Sequence, residues 1–445
     1  MSKMNVAIVT SGFLPVPPSK GGAVESLVQY LVDENERQEK MNLVIYSSYD
    51  AEAEKGTASF HSTEIRFIRT PLLLRAADRF VYFCAKSILR KEKHLSYRYI
   101  LQRLHFIYLV GRDLAKSDFD RVVFENHPTL LGTLKIAGNR EHYAGRYLYH
   151  MHNELSGFFG CEREFLGCRR VMGVSRFILE TLYPLCGNAL SKGSMYVLKN
   201  RVDADELVKA ATPEAVSLAH KRYGIPDGAK VVLFAGRLCQ EKGALELIEA
   251  FTRLKTKDSI LLIAGSYYFG SGMRSAYEEQ LEDAAKSLGS RILFTGFVPH
   301  SEMGVLYALA DVVVVPSIWE DPAPLSVVEP LTLGCPLVTT RRGGIPEYAT
   351  DGVDSIVLEI GESLTSEIAQ AIDAILSGEI VLRKCGSYDL TISSFYRDFL
   401  RLIAQDETGV SKPQEQRQHE DGLDRLSANQ RDFSFHEEFD HLMDE

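Results

Sequence analysis

The sequence predicts an α/β protein built from two doubly wound parallel sheets that face each other across a cleft. Strand-like apolar runs alternate with helical segments in both halves of the chain. A length of 445 residues exceeds what one core usually organises, so two domains are expected. One series of strands ends before residues 200–203 and another begins after them, which predicts the interdomain hinge there.

The composition is that of an ordinary globular protein, with 45% apolar and 25% charged residues. No apolar run approaches the roughly 20 residues needed to cross a bilayer, and the chain runs directly into a strand. We therefore expect a cytosolic protein. The seven cysteines are scattered and contain no C-x-x-C pair, which favours reduced thiols over a disulfide framework or a zinc site.

The first domain, residues 1–200, carries a glycine pair after its first strand. Gly21 and Gly22 end a proline-bearing loop and open an amphipathic helix that reaches about residue 36. Glycines at a helix start let backbone amides approach an anion, although a merely flexible loop needs them too. The predicted strands of this domain lie at 6–10, 43–46, 122–124, 147–150, 171–174 and 196–198.

A basic, aromatic segment spans residues 72–116. It holds ten bases against three acids, interleaved with seven aromatic residues. Such a segment can lie on an anionic membrane, at roughly 1 kcal/mol per basic residue near the surface, or form a solvated helix pair. Nucleic acid fits less well, because the net charge of the chain is −10 and no recognition motif is present.

Polar side chains follow two strands of the first domain. Glu125 and Asn126 follow one, and His150 and His152 close the next. Alternation sends both histidines to one face, with His152 nearer the cleft. Two histidines at this spacing suggest a metal, but no third ligand is apparent in the sequence, so we predict none.

The second domain, residues 201–386, begins with a basic pair in GRLCQEKG at 236–243. A preceding strand and a following helix place Arg237 and Lys242 at the carboxyl end of a parallel strand, beside a helix N-terminus, where anions bind. This predicts a diphosphate site. The strands of this domain are expected at 231–235, 260–264, 292–294, 312–315 and 337–339.

Two carboxylates follow at a spacing of eight. Asp321 lies in a loop before a helix, and Glu329 lies one to two turns inside that helix. Acids so placed can accept hydrogen bonds from hydroxyls at both ends of a sugar nucleotide.

These motifs resemble the donor half of glycosyltransferase family 4, a retaining family of the GT-B fold, of the bacterial surface-polysaccharide type. Members read G-R-L-x-x-E-K-G, then an acid, seven residues and Glu, then G-G-x-P-E, which here is GGIPE at 343–347. The family's first acid is commonly Glu. The seven-residue gap favours Asp321 here, and the adjacent Glu320 stays the alternative.

The resemblance implies roles for individual residues. Glu125 and Asn126 would lie on the acceptor side, and residues 296–298 would form the slot for the nucleotide base. No metal is required, since fixed cations favour departure of the diphosphate. The implied catalytic residues are Arg237, Lys242, Asp321 and His152, and the implied donor-binding residues are Gly21, Gly22, Gly236, Phe297, Val298, Leu325, Ser326 and Glu329.

The implied activity is transfer of a sugar, with retention, from a nucleoside-diphosphate sugar to an acceptor hydroxyl in polysaccharide or glycoconjugate biosynthesis. The acceptor would be a glycan or a lipid-linked molecule, and the enzyme would touch the inner face of the plasma membrane reversibly. Two alternatives stay open. One is another GT-B activity, such as a sugar-nucleotide epimerase or a glycan polymerase, and the other is a sugar-nucleotide-binding scaffold of a polysaccharide assembly complex.

The end of the chain divides into two parts. By the resemblance, residues 387–404 form a helix that crosses back to the first domain. Residues 405–445 hold twelve acids against four bases and lack a sustained apolar period, which favours a disordered tail. A short partner-binding helix at 433–443 is the alternative.

Overall fold

The computed structural model describes residues 3–84, 99–190, 192–266, 275–383 and 391–404. Two separate parallel sheets organise these residues, and helices cover them, as the sequence predicts. The acidic tail and the bases at 86, 90, 91, 93 and 98 lie outside the described residues. Within the described ranges, none of the helices combines the length and apolar character that crossing a bilayer requires.

The first sheet has seven strands in the order β3-β2-β1-β4-β5-β6-β7. The strand at residues 4–9 lies inside this sheet and is buried on both faces, which explains the unbroken apolar run from Val6 to Val9. The strands are β1 (Met4–Val9), β2 (Met41–Ser48), β3 (Thr63–Ile68), β4 (Arg121–Glu125), β5 (Tyr147–Met151), β6 (Arg170–Gly173) and β7 (Met195–Val197). The helices of this domain are α1 (Ala23–Gln38), α2 (Ala51–Gly56), α3 (Leu72–Phe83), α4 (Ile100–Leu114), α5 (Asn139–His142), α6 (Glu162–Leu166), α7 (Arg176–Glu180) and α8 (Tyr183–Cys186).

The second sheet has six strands in the order β10-β9-β8-β11-β12-β13. They are β8 (Lys230–Ala235), β9 (Ser259–Ala264), β10 (Ile292–Gly296), β11 (Val312–Val315), β12 (Leu337–Thr340) and β13 (Ser355–Leu358). The remaining helices are α9 (Ala204–Ala210), α10 (Pro213–Arg222), α11 (Ala244–Thr252), α12 (Ala276–Ala285), α13 (His300–Leu309), α14 (Leu325–Leu333), α15 (Leu364–Leu376) and α16 (Ile392–Ala404).

The sequence analysis missed β3 and β13, which are both edge strands. Each pairs on one side only, so its residues are less buried than those of a central strand. Most residues of β3 are only half-buried, and β13 is four residues long. Weak burial leaves a weak apolar pattern, which is why neither strand stands out in the sequence.

The last helix returns to the first domain, as predicted. Phe395, Tyr396 and Phe399 of α16 are fully buried in a core that includes residues of α1 and β1. The Tyr396 hydroxyl donates to Asn35 Oδ1 at 2.7 Å. Arg201, at the hinge, pairs with Asp398 of the same helix at 2.7 Å. The hinge arginine therefore ties the domain junction to α16.

Candidate functional site

The basic pair lies at the carboxyl end of β8, as predicted. Arg237 follows the strand, and Lys242 ends a short 3-10 turn just before α11. Gly243 joins the turn to the helix with a φ of 72°, and an added Cβ would collide with the carbonyl oxygen of Pro316. Only glycine fits this position, so the turn is held closely against the end of β11.

Lys242 and Asp321 form the central ion pair of the site. Lys242 Nζ donates to Asp321 Oδ2 at 2.5 Å, and both side chains are largely buried. Ser317 Oγ donates to the same carboxylate oxygen at 3.4 Å, and the lysine ammonium lies 5.7 Å from the centre of the Trp319 ring. A cation and an anion are thus fixed side by side at the carboxyl end of the sheet.

The neighbouring acid, Glu320, lies elsewhere. It is exposed, and its carboxylate accepts hydrogen bonds from Arg342 at 2.9 Å and from the backbone amide of Gly343 at 2.6 Å. Glu320 therefore supports the glycine loop at 343–344, while Asp321 faces Lys242. The geometry favours the register that the seven-residue spacing indicates.

Glu329 is the fifth residue of α14 and is buried. Its Oε1 accepts from His300 Nε2 at 2.9 Å and its Oε2 accepts from the Tyr307 hydroxyl at 2.6 Å. The hydrogen bond to Glu329 raises the pKa of His300, against the opposing effect of burial. Each carboxylate oxygen has two lone pairs, so Glu329 keeps acceptor capacity for further hydroxyl groups. The sequence analysis did not identify His300 or Tyr307.

The two helices that carry predicted donor-binding residues at their starts, α14 and α1, have no side-chain cap. Pro324 precedes α14, and Gly22 precedes α1, and neither caps the amides that follow. The first amides of a helix lack acceptors inside it and attract anions. Leu325 and Ser326, predicted to bind the donor, supply these amides in α14. Gly22 has a φ of 109°, and an added Cβ there would collide with Glu25.

The predicted base slot lies after β10. Gly296 has a φ of 70° and turns the chain, Phe297 is 44% exposed, and Val298 packs partly against the core. His300 begins α13 two residues later, so this slot leads directly to Glu329. An exposed aromatic ring suits stacking against a planar base.

A buried cluster ends β4 and β5 in the first domain. His152 Nε2 lies 2.8 Å from Glu125 Oε2, and His150 Nδ1 lies 3.0 Å from the same oxygen. The Glu125 side chain is 0% exposed. Asn126 Oδ1 accepts from the backbone amides of His152 and Asn153 at 3.1 Å each. Glu125 and Asn126 therefore hold the end of β5 in place, and their position on the acceptor side stays a prediction.

This cluster corrects the prediction that the two histidines lack a third ligand. In the described part of the chain, Glu125, His150 and His152 are the group whose ligand atoms could hold a metal ion, all within 4.8 Å. Sequence reasoning missed Glu125 as a partner because it lies on another strand. Both imidazoles approach one carboxylate oxygen, to which His152 is hydrogen-bonded and from which His150 lies at ion-pair distance.

The protonation states in the cluster follow from burial and charge. Burial opposes ionisation of Glu125, but the charge and hydrogen bonds of His150 and His152 outweigh it and lower its pKa to about 2. Burial and the nearby His150 lower the pKa of His152 to about 4. At neutral pH the carboxylate is ionised and His152 is a neutral imidazole.

Glu25 lies beneath the glycine loop. It accepts a hydrogen bond from Ser11 Oγ at 3.1 Å and is buried. Burial raises the pKa of this carboxyl to about 7, although hydrogen bonds, including that from Ser11, oppose the rise. A carboxyl group that can take up a proton near neutral pH therefore lies next to the glycine pair at 21–22.

Glu347 of the GGIPE motif joins the two domains. Its carboxylate accepts from the backbone amides of Arg176 and Phe177 at 2.8 Å each. Lys199 Nζ donates to the Glu347 carbonyl oxygen at 2.6 Å, and the Tyr348 hydroxyl donates to the carbonyl oxygen of Val174 at 2.6 Å. The sequence analysis used this motif only for its resemblance and assigned Glu347 no role.

The chain is similar in sequence to known glycosyltransferases. Residues 217–389 match the family model described as Glycosyl transferases group 1. YtcC of Bacillus subtilis strain 168, whose name assigns it provisionally to the glycosyltransferases, is 29% identical over 309 residues, covering 67% of this chain and 74% of that protein. Lipopolysaccharide 1,2-N-acetylglucosaminetransferase of Salmonella typhimurium strain LT2 is 30% identical over 161 residues, covering 33% of this chain and 42% of that protein.

A solved structure shows the same fold. The structure of Anabaena Alr3699/HepE in complex with UDP-glucose has a TM-score of 0.64 and 18% identity, and the match covers 90% of this chain and 99% of that one. At this identity the likeness establishes the fold alone.

Proposed function

We propose that this chain, a glycosyltransferase with the GT-B fold, transfers a sugar from a nucleoside-diphosphate sugar to an acceptor hydroxyl and retains the configuration at the anomeric carbon. The observation that carries the proposal is the Lys242–Asp321 pair at the carboxyl end of the second sheet. One cation and one anion, both largely buried, suit the diphosphate and the sugar hydroxyls of such a donor. The match of residues 217–389 to a glycosyltransferase family supports this use of the site.

Departure of the diphosphate builds negative charge on its oxygens. Arg237 and Lys242 supply fixed positive charge, and the uncapped start of α14 adds the amides of Leu325 and Ser326. Groups already in place need little reorganisation as the charge develops, which is how such donors lower a barrier. Gly21 and Gly22 would present the start of α1 to the phosphates from the first domain. A metal is not required by this scheme.

The two acids bind opposite ends of the donor. Asp321 would accept hydrogen bonds from the sugar hydroxyls and so orient the anomeric carbon. Glu329, held by His300 and Tyr307, would accept hydrogen bonds from the ribose. Phe297 and Val298 would form the slot for the base. Lys242 holds Asp321 in place, since separating the pair leaves a buried charge unpaired.

Retention follows from attack on the face that the leaving group vacates. The acceptor oxygen bonds to the anomeric carbon while the carbon–phosphate oxygen bond breaks, and the departing phosphate oxygen takes the acceptor proton. His152 is neutral at working pH and is held by Glu125, so it serves as a fixed hydrogen-bonding group rather than a charge. We assign it to the sugar or its reaction centre, on the strength of the family resemblance.

The first domain carries an apolar surface that suits contact with an anionic membrane. Large apolar residues stand exposed on α3 and α4, with Leu73 at 84% and Leu72 at 80% exposure. The bases Arg75, Arg79 and Arg112 lie exposed on the same helices. Apolar side chains beside bases match the chemistry of an anionic bilayer surface, which supports reversible docking where a lipid-linked acceptor resides.

A nucleotide-sugar screen by thermal shift tests the proposal. A donor at 100 times its dissociation constant stabilises the folded state by about 2.7 kcal/mol. The fold shared with a protein solved with UDP-glucose makes UDP-sugars the first compounds to test. The donor found should then be consumed only with acceptor, and NMR should show the retained anomer.

Turnover should persist in the presence of a chelator. Consumption of donor without an acceptor would favour an epimerase or hydrolase. Binding without any turnover would favour a sugar-nucleotide-binding scaffold.

A further inference from the structure

A cavity of about 250 Å³ lies in the first domain at the carboxyl ends of β1, β2 and β3. Its floor is formed by residues that follow those strands, such as Gly12, Tyr49 and Thr70. Residues of helices α3 and α4 also line it. A cavity of this volume has room for a small ligand group.

The lining of this cavity is positively charged. Four basic residues line it, Lys20, Arg75, Arg79 and Arg103, against the two acids Asp50 and Asp78.

Both acids are already engaged. The buried Asp78 accepts from the backbone amides of Leu101 and Gln102 at 2.9 and 3.0 Å. Asp50 accepts from Ser19 Oγ at 2.8 Å, caps α2 and lies 3.5 Å from Lys20. The remaining charge of the arginines is not compensated by these carboxylates.

Arg103 is the best placed of these bases. Its Nη1 donates to Thr129 Oγ1 at 3.1 Å, and the guanidinium lies 4.0 Å from the centre of the Phe13 ring. Among the described residues, no carboxylate lies within ion-pair distance of it. Burial lowers the pKa of Arg103 to about 9. The nearby His127 has a pKa well below its usual value, through burial and then through the charge of Arg103.

The cavity leads toward the reaction site. Ser11 lines it and donates to Glu25, the acid beneath Gly22. His127, whose pKa is lowered by burial and by the charge of Arg103, lies two residues after Glu125 of the buried cluster. The cavity therefore borders the residues that support the glycine loop at 21–22, and Arg75 and Arg79 of α3 line it as well.

We propose that this cavity binds an anionic group, a phosphate ester, of the acceptor, with Arg103 as its central contact and Arg75, Arg79 and Lys20 around it. This inference rests on the proposed transferase function and adds the substrate class. A planar guanidinium suits bidentate binding of a phosphate, and three tyrosines, Tyr49, Tyr82 and Tyr99, also line the cavity. The phosphate can belong to a soluble sugar phosphate or to a lipid headgroup.

Calorimetric titration with glucose 6-phosphate tests the soluble source. Arg103→Gln and Arg79→Gln should each weaken binding roughly tenfold or more, since a charge-assisted contact is lost. Arg112→Gln is the matched control, because Arg112 lies on the same helix and contacts only Tyr108 among the described residues. Arg79 is exposed, so its replacement keeps the test valid if Arg103→Gln unfolds.

Arg237→Ala separates this cavity from the donor site. Binding that survives in Arg237→Ala but falls in Arg103→Gln supports the cavity. Binding lost only in Arg237→Ala would place the phosphate in the donor site and overturn the inference, as would equal affinity in all variants. Binding is read without turnover, so the outcome is independent of whether sugar transfer is later demonstrated.

Vesicles test the lipid source. Phosphatidylcholine vesicles with and without phosphatidic acid should be compared, using the parent protein, Arg103→Gln and, as the control, Arg222→Gln, because Arg222 is exposed on the second domain. A loss of vesicle binding confined to Arg103→Gln identifies a lipid phosphate, and an effect on glucose 6-phosphate alone identifies a soluble acceptor. An Arg103→Gln protein that matches the parent in both assays contradicts the proposal.

Discussion

The Glu347 carboxylate of the second domain accepts a 2.8 Å hydrogen bond from the backbone amide of Arg176, the first residue of α7 in the first domain. Its other oxygen accepts from Phe177, and Ser175 accepts from Ile178. A helix of one domain is thus capped by an acid of the other. The GGIPE motif therefore has a mechanical role, which is to fix how the two domains meet.

Replacing Glu347 by Ala should weaken this junction. Two charge-assisted hydrogen bonds are lost, so we expect a loss of about 1–3 kcal/mol in the free energy of unfolding and a lower kcat/KM. Thermal unfolding and donor-saturated kinetics measure the two effects. Glu359→Ala is the control, since that acid is exposed and pairs only with Arg341 among the described residues. Equal effects of both changes would contradict the interdomain role.

Arg237→Ala and Lys242→Ala should each lower turnover by roughly 10²-fold or more. Each variant lacks a positive charge that would stabilise the negative charge developing on the departing diphosphate. The fold should survive, which circular dichroism can check. Lys230→Ala provides the control, as Lys230 lies at the opposite end of β8 and pairs with Asp311. Near-normal activity of both variants with saturating donor would refute the assigned roles.

Substitutions of the three acids should have different effects on the kinetic constants. We expect Asp321→Asn to damage turnover most, because it removes a sugar contact and leaves Lys242 without its partner. Glu329→Gln should mainly raise the KM for the donor. Glu320→Gln should be milder than either, since Glu320 contacts only Arg342 and Gly343 among the described residues. An essential Glu320 with a dispensable Asp321 would show that the register is wrong.

Glu25 should make stability depend on pH. Its pKa is about 7 in the folded state against an ordinary value of 4.5, so the folded state keeps the proton to higher pH. The contribution is full below about pH 4.5 and falls as pH rises through 7, by up to about 3 kcal/mol.

Thermal unfolding of Glu25→Gln across pH 5 to 8 checks this dependence. The variant should gain stability relative to the parent as pH rises. Glu52→Gln, an exposed acid on α2, should track the parent at every pH. A parallel pH profile for Glu25→Gln would argue against the raised pKa.

Membrane docking should depend on the apolar face of α3. A Leu72→Ser, Leu73→Ser double variant should sediment less with vesicles that contain phosphatidylglycerol, while donor binding in the second domain stays unchanged. Leu218→Ser is the control, because Leu218 is 69% exposed but lies in the second domain.

Binding of the parent protein should fall with salt, since surface attraction is screened over roughly 8 Å at physiological ionic strength. Equal sedimentation of parent and variant would leave this face as an ordinary solvated surface.

The sequence predicted the parts of the site whose chemistry is local. The run before Gly236 predicted a strand ending at Ala235, which is where β8 ends, and the spacing of Asp321 and Glu329 predicted a loop acid and a helix acid. In both cases the signal lies within a few residues. Local patterning and turn chemistry are sufficient there.

Other features depend on contacts between distant positions. Glu125 meets His152 across two strands, Arg103 meets Phe13 across the first domain, and Glu347 meets Arg176 across the domain boundary. Burial and pairing of this kind arise from tertiary packing, which no local pattern records. The cavity around Arg103 could not be predicted for the same reason, because three strand ends and two helices form it.

Because α16 packs into the first domain, the core of that domain cannot be completed until residues 392–404 have been synthesised. Phe395, Tyr396 and Phe399 complete a core that includes residues of β1 and α1, which are synthesised roughly 360 to 390 residues earlier. At 5–20 residues per second, that interval is on the order of 20–80 s. During translation an apolar face of the first domain therefore stays uncovered until α16 has been made. The domain that is synthesised first is completed last.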